Sequence, residues 1–221
     1  MFDAAQWQAL RISAGVGLAA VALVMPPAVL AGHLLATRSF RGKALVETCL
    51  LLPLVLPPVV TGYALLLLLG RRGLGPLLDA LGLSVVFTWR GCVLASAVMA
   101  FPLAYRACRT AFEAVDPRLA ALARTLGATR RDAFLSVTLP LARRGVIAGA
   151  VLAFARSVGE FGATIVLAGN VEGETRTLPV AVFQESQSRG LEAVAPLAAL
   201  SVVLAVGALV ASEALARRGA A

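Results

Sequence analysis

The sequence predicts an all-α integral membrane protein that crosses the bilayer about five times. Two observations predict it. Of 221 residues, 59% are hydrophobic and 14% charged, and the mean hydropathy is +0.86. A soluble domain of this length reaches such a composition only if it is all core, which the ratio of surface to volume forbids. The apolar residues are also gathered into runs long enough to cross a hydrocarbon layer, which takes about 20 residues. With no water to bond its N–H and C=O groups, each run must satisfy them internally, and a helix does so. The chain reads as one transmembrane domain over 1–221.

The first run covers 12–36. Only Arg11 supplies a basic residue ahead of it, and the run is longer than a typical leader. "LAGHLLA" has the small residues of a cleavage site, but the segment is read as a retained span. The second run covers 46–70 and contains Pro53, Pro57 and Pro58. Each proline removes a helix hydrogen bond, so bends are expected there, either working hinges or static kinks. The third covers 91–112, the fourth 141–168 and the fifth 191–216. Cys49, Cys92 and Cys108 fall in or beside these runs without pairing or ligand spacing and are read as small membrane-buried residues. His33, the single histidine, lies inside the first run, where packing or a polar lining role suits it better than metal ligation.

The net charge of +8 has to be read by position. A nucleic-acid surface would need a folded soluble face to carry it, and none is visible. Lysine and arginine accumulate on the cytoplasmic side of membrane proteins. One alternate set of segments holds thirteen of them: Arg38, Arg41, Lys43, eight arginines from Arg106 to Arg144, then Arg217 and Arg218. The other set holds six: Arg11, Arg71, Arg72, Arg90, Arg176 and Arg189. The bias places the amino terminus outside and the carboxyl terminus inside, as an odd number of spans requires. The outward loops, "RRGLGPLLDALGLSVVFTWR" and "GNVEGETRTLPVAVFQESQSRG", are too short to be domains.

The inward segment 116–140 carries its own helix punctuation. Asp116 is a good N-cap, with Pro117 at the first helical position, where a missing N–H costs nothing. Leu119, Leu122, Ala123 and Leu126 repeat at helical spacing as a short apolar face. Gly127 accepts the left-handed conformation that ends a helix. Thr129 and Asp132 form a weak capping box for a second helix, which carries Phe134, Val137 and Leu139 to Pro140. Ala121, Ala123, Thr125, Gly127 and Ala128 keep the hinge small, so that another backbone could approach it. The segment is either a charged loop that fixes topology or a docking knob for a cytoplasmic partner.

The run Gly127, nine residues, Val137, one residue, Leu139, Pro140 resembles the cytoplasmic signature of importer-type ABC permeases. That signature opens with a Glu-Ala-Ala triplet; here Ala121, Leu122 and Ala123 stand in its place, so the glutamate is missing. "LPLVLPPVVTGYALLLLLGRRG" and "FARSVGEFGATIVLAGNVEGETRTLP" resemble the permease subunits of molybdate importers, within the molybdate, tungstate and sulfate branch. The resemblance implies the importer-type ABC permease fold, with Ala121 to Ala123, Arg124, Leu126, Gly127, Val137, Leu139 and Pro140 as the segment coupled to an ATPase. It implies a homodimer, two cytoplasmic ATPase chains and an extracytoplasmic molybdate-binding protein, in the inner membrane of a bacterium. Transport would proceed by alternating access, with ATP binding drawing the coupling segments together.

No G-x-x-x-x-G-K-[ST] loop is present, and "RGKA" at Arg41 to Ala44 lacks the other glycine. The chain is therefore expected to bind no cofactor, ATP and magnesium belonging to the partner. A pathway for a dianion should offer hydroxyls, because a deep positive trap would not release it. Thr61, Ser157 and Thr164 are the candidates, with a hydroxyl bonded to its own helix as the competing role for each. Arg156 and Glu160 share a helical face at i, i+4 within the fourth run. Ionisable groups there cost about 2.5–3.5 kcal/mol, so pairing or function is the default expectation. A structural ion pair or inter-subunit contact near the gate, with Gly159 and Gly162 permitting close packing, suits them better than direct anion contact by Arg156.

Two other classes compete. An intramembrane enzyme would need a nucleophile elbow or metal ligands, which one histidine cannot supply. A secondary carrier or channel would work without an ATPase, and inverted repeats, common in carriers, are not found.

Overall fold

A computed structural model describes residues 4–188 and 191–217; Arg189 and Arg218, counted in the charge distribution, lie outside the described residues. In chain order the helices are α1 (Ala4–Thr37), α2 (Lys43–Val55), α3 (Pro58–Leu69), α4 (Gly75–Ala80), α5 (Trp89–Glu113), α6 (Pro117–Thr125), α7 (Arg130–Ala133), α8 (Leu139–Val158), α9 (Gly162–Ala168), α10 (Leu178–Ser188) and α11 (Leu191–Arg217). A π-helical stretch, Phe134–Thr138, joins α7 to α8. No strand occurs among the described residues.

Apolar residues at i, i+4 spacing build the centre. Val16, Ala20, Val24 and Ala28 of α1 meet Cys92, Ala97, Ala100, Ala104 and Cys108 of α5. Small side chains on both helices let the backbones close in, which is how helices associate where no hydrophobic gain separates protein from lipid. A Cβ on Gly15 would meet the Trp89 ring, and one on Gly32 would lie 2.9 Å from the Arg109 nitrogen, so α1 and α5 run parallel. Gly145 faces Ala111, Gly149 faces Ala107, and the Ser96 hydroxyl donates to the Ser157 carbonyl at 3.5 Å. α8 is therefore antiparallel to α5. Arg38 to Lys43 and the eight arginines from Arg106 to Arg144 gather at one end of this three-helix core. Arg11, Arg90 and Arg176 lie toward the other.

Because the neighbour at Gly32 is backbone, it cannot swing away. Gly32→Val is expected to cost about 1–3 kcal/mol by overpacking, a fall in melting temperature of about 2–4 °C per kcal/mol for a chain of this size. Gly15→Ala on the same helix, 3.9 Å from the nearest Trp89 atom, should leave the temperature level or higher. Thermal unfolding of the detergent-solubilised protein checks both.

Two expected spans are not single helices. The second, 46–70, is α2 and α3, bent by 110° at Leu56 and Pro57. Leu56 takes the extended conformation forced on a residue before proline, Pro57 starts the next helix without an N–H to give, and Pro58 fills its first turn. The bends expected at Pro57 and Pro58 are this break; Pro53 lies within α2. The fourth, 141–168, is α8 and α9, interrupted at Gly159, Glu160 and Phe161. Among the described residues, three helices are long and apolar enough to cross a membrane, Ala4–Thr37, Trp89–Glu113 and Arg130–Val158, or up to four if the bent pair counts as one.

Other boundaries shift as well. α1 begins at Ala4, eight residues before the expected run, and its added turns bind the opposite end of the chain: Gln6 donates to Glu185. The outward loops are not bare. The first contains α4; the second contains α10, whose Leu178 N–H donates to Ser13 Oγ at 2.6 Å. The second helix expected in 116–140, carried to Pro140, is continuous with the fourth run. It runs through the π stretch into α8, where the Leu139 N–H reaches back to the Phe134 carbonyl. Pro140 has no N–H for Ser136 and its ring would crowd that carbonyl, so a locally widened turn is the way the helix continues.

Candidate functional site

Two places gather the candidate residues. The first is the α6–α7 turn. The Asp116 side chain accepts from the Arg118 N–H at 2.9 Å, and α6 ends where Gly127 takes φ +98°. Thr129 Oγ1 accepts from the Asp132 N–H while Asp132 accepts from the Thr129 N–H and hydroxyl, a complete capping box. Those hydrogen bonds hold the Asp132 carboxyl below its usual range.

α6 buries no residue. It rests on α7 and the π stretch and presents Leu119, Leu122 and Leu126 outward, 43%, 59% and 82% exposed. Ala121, Arg124 and Gly127 are exposed beside them, and Ala123 is half-buried. No atom lies within 4 Å of a Cβ built on Gly127, so the small hinge is open to its surroundings. Val137 and Leu139 are half-buried and Pro140 is exposed where the turn rejoins the core.

The second place is the break between α8 and α9. Arg156 Nη1 lies 2.6 Å from Glu160 Oε2, and Glu160 Oε1 accepts from the Ala163 N–H at 2.8 Å. The charges suit their positions: the cation stands in the last turn of α8, where free carbonyls concentrate negative potential, and the anion bonds an N–H at the start of α9. The Glu160 side chain is 1% exposed and that of Arg156 26%. The Thr164 hydroxyl donates to the Glu160 carbonyl at 3.0 Å, the own-backbone bond that competed with a pathway role. Thr61 Oγ1 and Ser157 Oγ are buried without a partner among the described residues.

α3 docks on this break. A Cβ on Gly62 would meet the Ala163 backbone at 2.7 Å and one on Gly162 the Pro58 ring at 2.8 Å. Gly162 therefore permits a close approach, whereas Gly159 faces only its own helix, at the Ala155 carbonyl.

The sequence reading missed a charge cluster at the basic end. Arg109 bridges Glu47 of α2 and Glu113 of α5, each at 2.7 Å, and Lys43 stands 3.9 Å from Glu47. The spacings Lys43–Glu47 and Arg109–Glu113 are i, i+4 and could have been found. The tie from α2 to α5 has no local signal. His33 packs between Phe112 and Phe134, ring centroids 5.2 and 4.6 Å away. Cys92 and Cys108 are buried free thiols, while Cys49 is exposed.

Residues 28–218 match the family described as binding-protein-dependent transport system inner membrane component. The chain is 51% identical over 215 residues to the molybdenum transport system permease protein ModB of Escherichia coli (strain K12), covering 96% of this chain and 94% of that one. Against ModB of Haemophilus influenzae the identity is 45%, over 95% and 93% of the two chains. Against the sulfate transport system permease protein CysW of Synechococcus elongatus it is 36%, over 79% and 62%.

Proposed function

The chain belongs to the family of binding-protein-dependent transport system inner membrane components, and from that premise we propose that it is the transmembrane subunit of an ATP-driven importer of molybdate. Two copies enclose the pathway on a two-fold axis. A separate ATPase dimer docks on the α6–Gly127–α7 turn from the cytoplasm. An extracytoplasmic binding protein delivers the anion at the opposite face, so the basic end of the three-helix core faces inward. The amino terminus is outside and the carboxyl terminus inside, in the inner membrane of a bacterium. ATP and magnesium belong to the partner, and molybdate is cargo.

The observation that carries the docking role is the outward apolar face of Leu119, Leu122 and Leu126 on a helix that buries nothing. Large apolar side chains at 43–82% exposure beside the arginine-rich end of the core need a protein to cover them. The α7–π–α8 helix, continuous over Arg130–Val158, supplies a stiff lever. Force applied at Gly127 reaches Arg156 along one rod, and the breaks at Pro57 and Gly159 supply the bends that alternating access requires. Molybdate is favoured over sulfate by the higher identity and fuller coverage of the molybdenum permeases.

Reconstitution tests the proposal. Proteoliposomes holding this chain, a molybdate-type ATPase and a molybdate-binding protein are expected to accumulate molybdate only with ATP and only with all three present. Uptake by the chain alone, driven by an ion gradient, would make it a secondary carrier. Tungstate and sulfate in the same vesicles rank the three anions.

A further inference from the structure

A cavity of about 1360 Å³ opens between α2, α5 and α8 at the basic end of the core. Its lining includes Arg106, Arg143 and Arg144 together with Leu51, Leu103 and Leu152. From Glu113 to Leu103 the lining follows α5 for ten residues, about 15 Å at 1.5 Å per residue. The acidic lining residues are already answered. Glu47 and Glu113 are both held by Arg109, with Lys43 beside Glu47, so that cluster is neutral by itself. Every other charged lining residue is an arginine, and Arg106 and Arg143 have no acidic partner among the described residues.

We infer that this cavity is a binding site for an anionic phospholipid of the inner leaflet, its phosphate between Arg106 and Arg143 and an acyl chain along Leu51, Leu103 and Leu152. Charge and volume both argue for that occupant. Guanidinium groups pair with phosphate oxygens in a planar fork, and basic pockets between membrane helices on the cytoplasmic side suit acidic head groups. A free tetrahedral oxyanion, of a volume on the order of 100 Å³ if each oxygen takes about a water's share, would fill a small part of the space and leave the leucines facing nothing.

The test uses the purified full chain in nanodiscs of equal phosphatidylglycerol and phosphatidylcholine, re-extracted in mild detergent, with the retained lipid counted by native mass spectrometry. The wild type should retain phosphatidylglycerol over phosphatidylcholine by roughly 30-fold, the preference two arginines provide near a surface. Arg106→Gln with Arg143→Gln should fall to the bulk ratio, while Arg106→Lys with Arg143→Lys should keep most of the preference. In the wild type alone, phosphatidylglycerol should raise the melting temperature and inorganic phosphate at equal concentration should not. Retention unchanged by the glutamine pair would overturn the site. An equal shift from phosphate alone would make the ligand a free anion. Cross-linking of Arg143→Cys to a second copy would put protein over the groove, and that too would overturn the proposal.

Discussion

Arg156→Met is expected to be far more damaging than Glu160→Gln, although the two changes break the same ion pair. Glu160 is the buried partner, 1% exposed, whereas Arg156 keeps 26% of its side chain accessible. Removing the arginine strands a carboxylate in a nonpolar setting, a class of change that costs about 3–5 kcal/mol. Removing the glutamate's charge leaves a long cation that can swing its head outward. The glutamine carbonyl also still accepts from the Ala163 N–H, so the start of α9 keeps its cap at a cost of about 1 kcal/mol. The double change should lie near Glu160→Gln, because the charge stranded by Arg156→Met is then absent. Yield of inserted chain and melting temperature in detergent, taken around the full cycle, give the coupling directly. Equal effects from the two single changes would mean that the pair is not divided into a buried and an accessible partner as described.

Much of this arrangement was legible in the sequence because its causes are local. Asp116, Pro117, Gly127 and the Thr129–Asp132 pair set their turn by capping and by backbone freedom, and the structure has each of them in that role. The i, i+4 spacing alone put Arg156 beside Glu160. The second and fourth spans misled for one reason. Hydropathy measures solvent and says nothing of direction, so a run of apolar residues reads as one span even where the chain turns by 110°. Three prolines gave a hint in the second span. In the fourth, a lone Gly159 gave almost none, because what stabilises the break is a carboxylate reaching the N–H of Ala163 across it. The docking of α3 on α9 through Gly62 and Gly162 is a long-range fit with no period in either segment. The link from Glu47 to Arg109 was hidden likewise, since a charge carries no record of which distant helix it meets.

Leu126→Asp should abolish ATP-dependent uptake while leaving the permease as stable as before. At 82% exposure Leu126 contributes little to the fold, and surface changes of this kind stay within about 0.5 kcal/mol. If the face formed with Leu119 and Leu122 is where the ATPase docks, Leu126 occupies its far end, next to the left-handed turn at Gly127. A buried apolar anchor in an interface contributes 2 kcal/mol or more, so a charge there should weaken association by about 30-fold or more. Gly127→Ala and Gly127→Trp separate strain from obstruction. Both force a side chain into φ +98°, at about 1–2 kcal/mol, and the new Cβ itself enters open space in either variant. Only the indole reaches far enough to block a docked partner. Gly127→Ala should therefore keep a reduced rate, and Gly127→Trp should lose both uptake and co-purification with the ATPase while inserting normally. Molybdate uptake that survived Gly127→Trp unchanged would remove the α6–α7 turn from the coupling path, and the force would have to enter the membrane somewhere else.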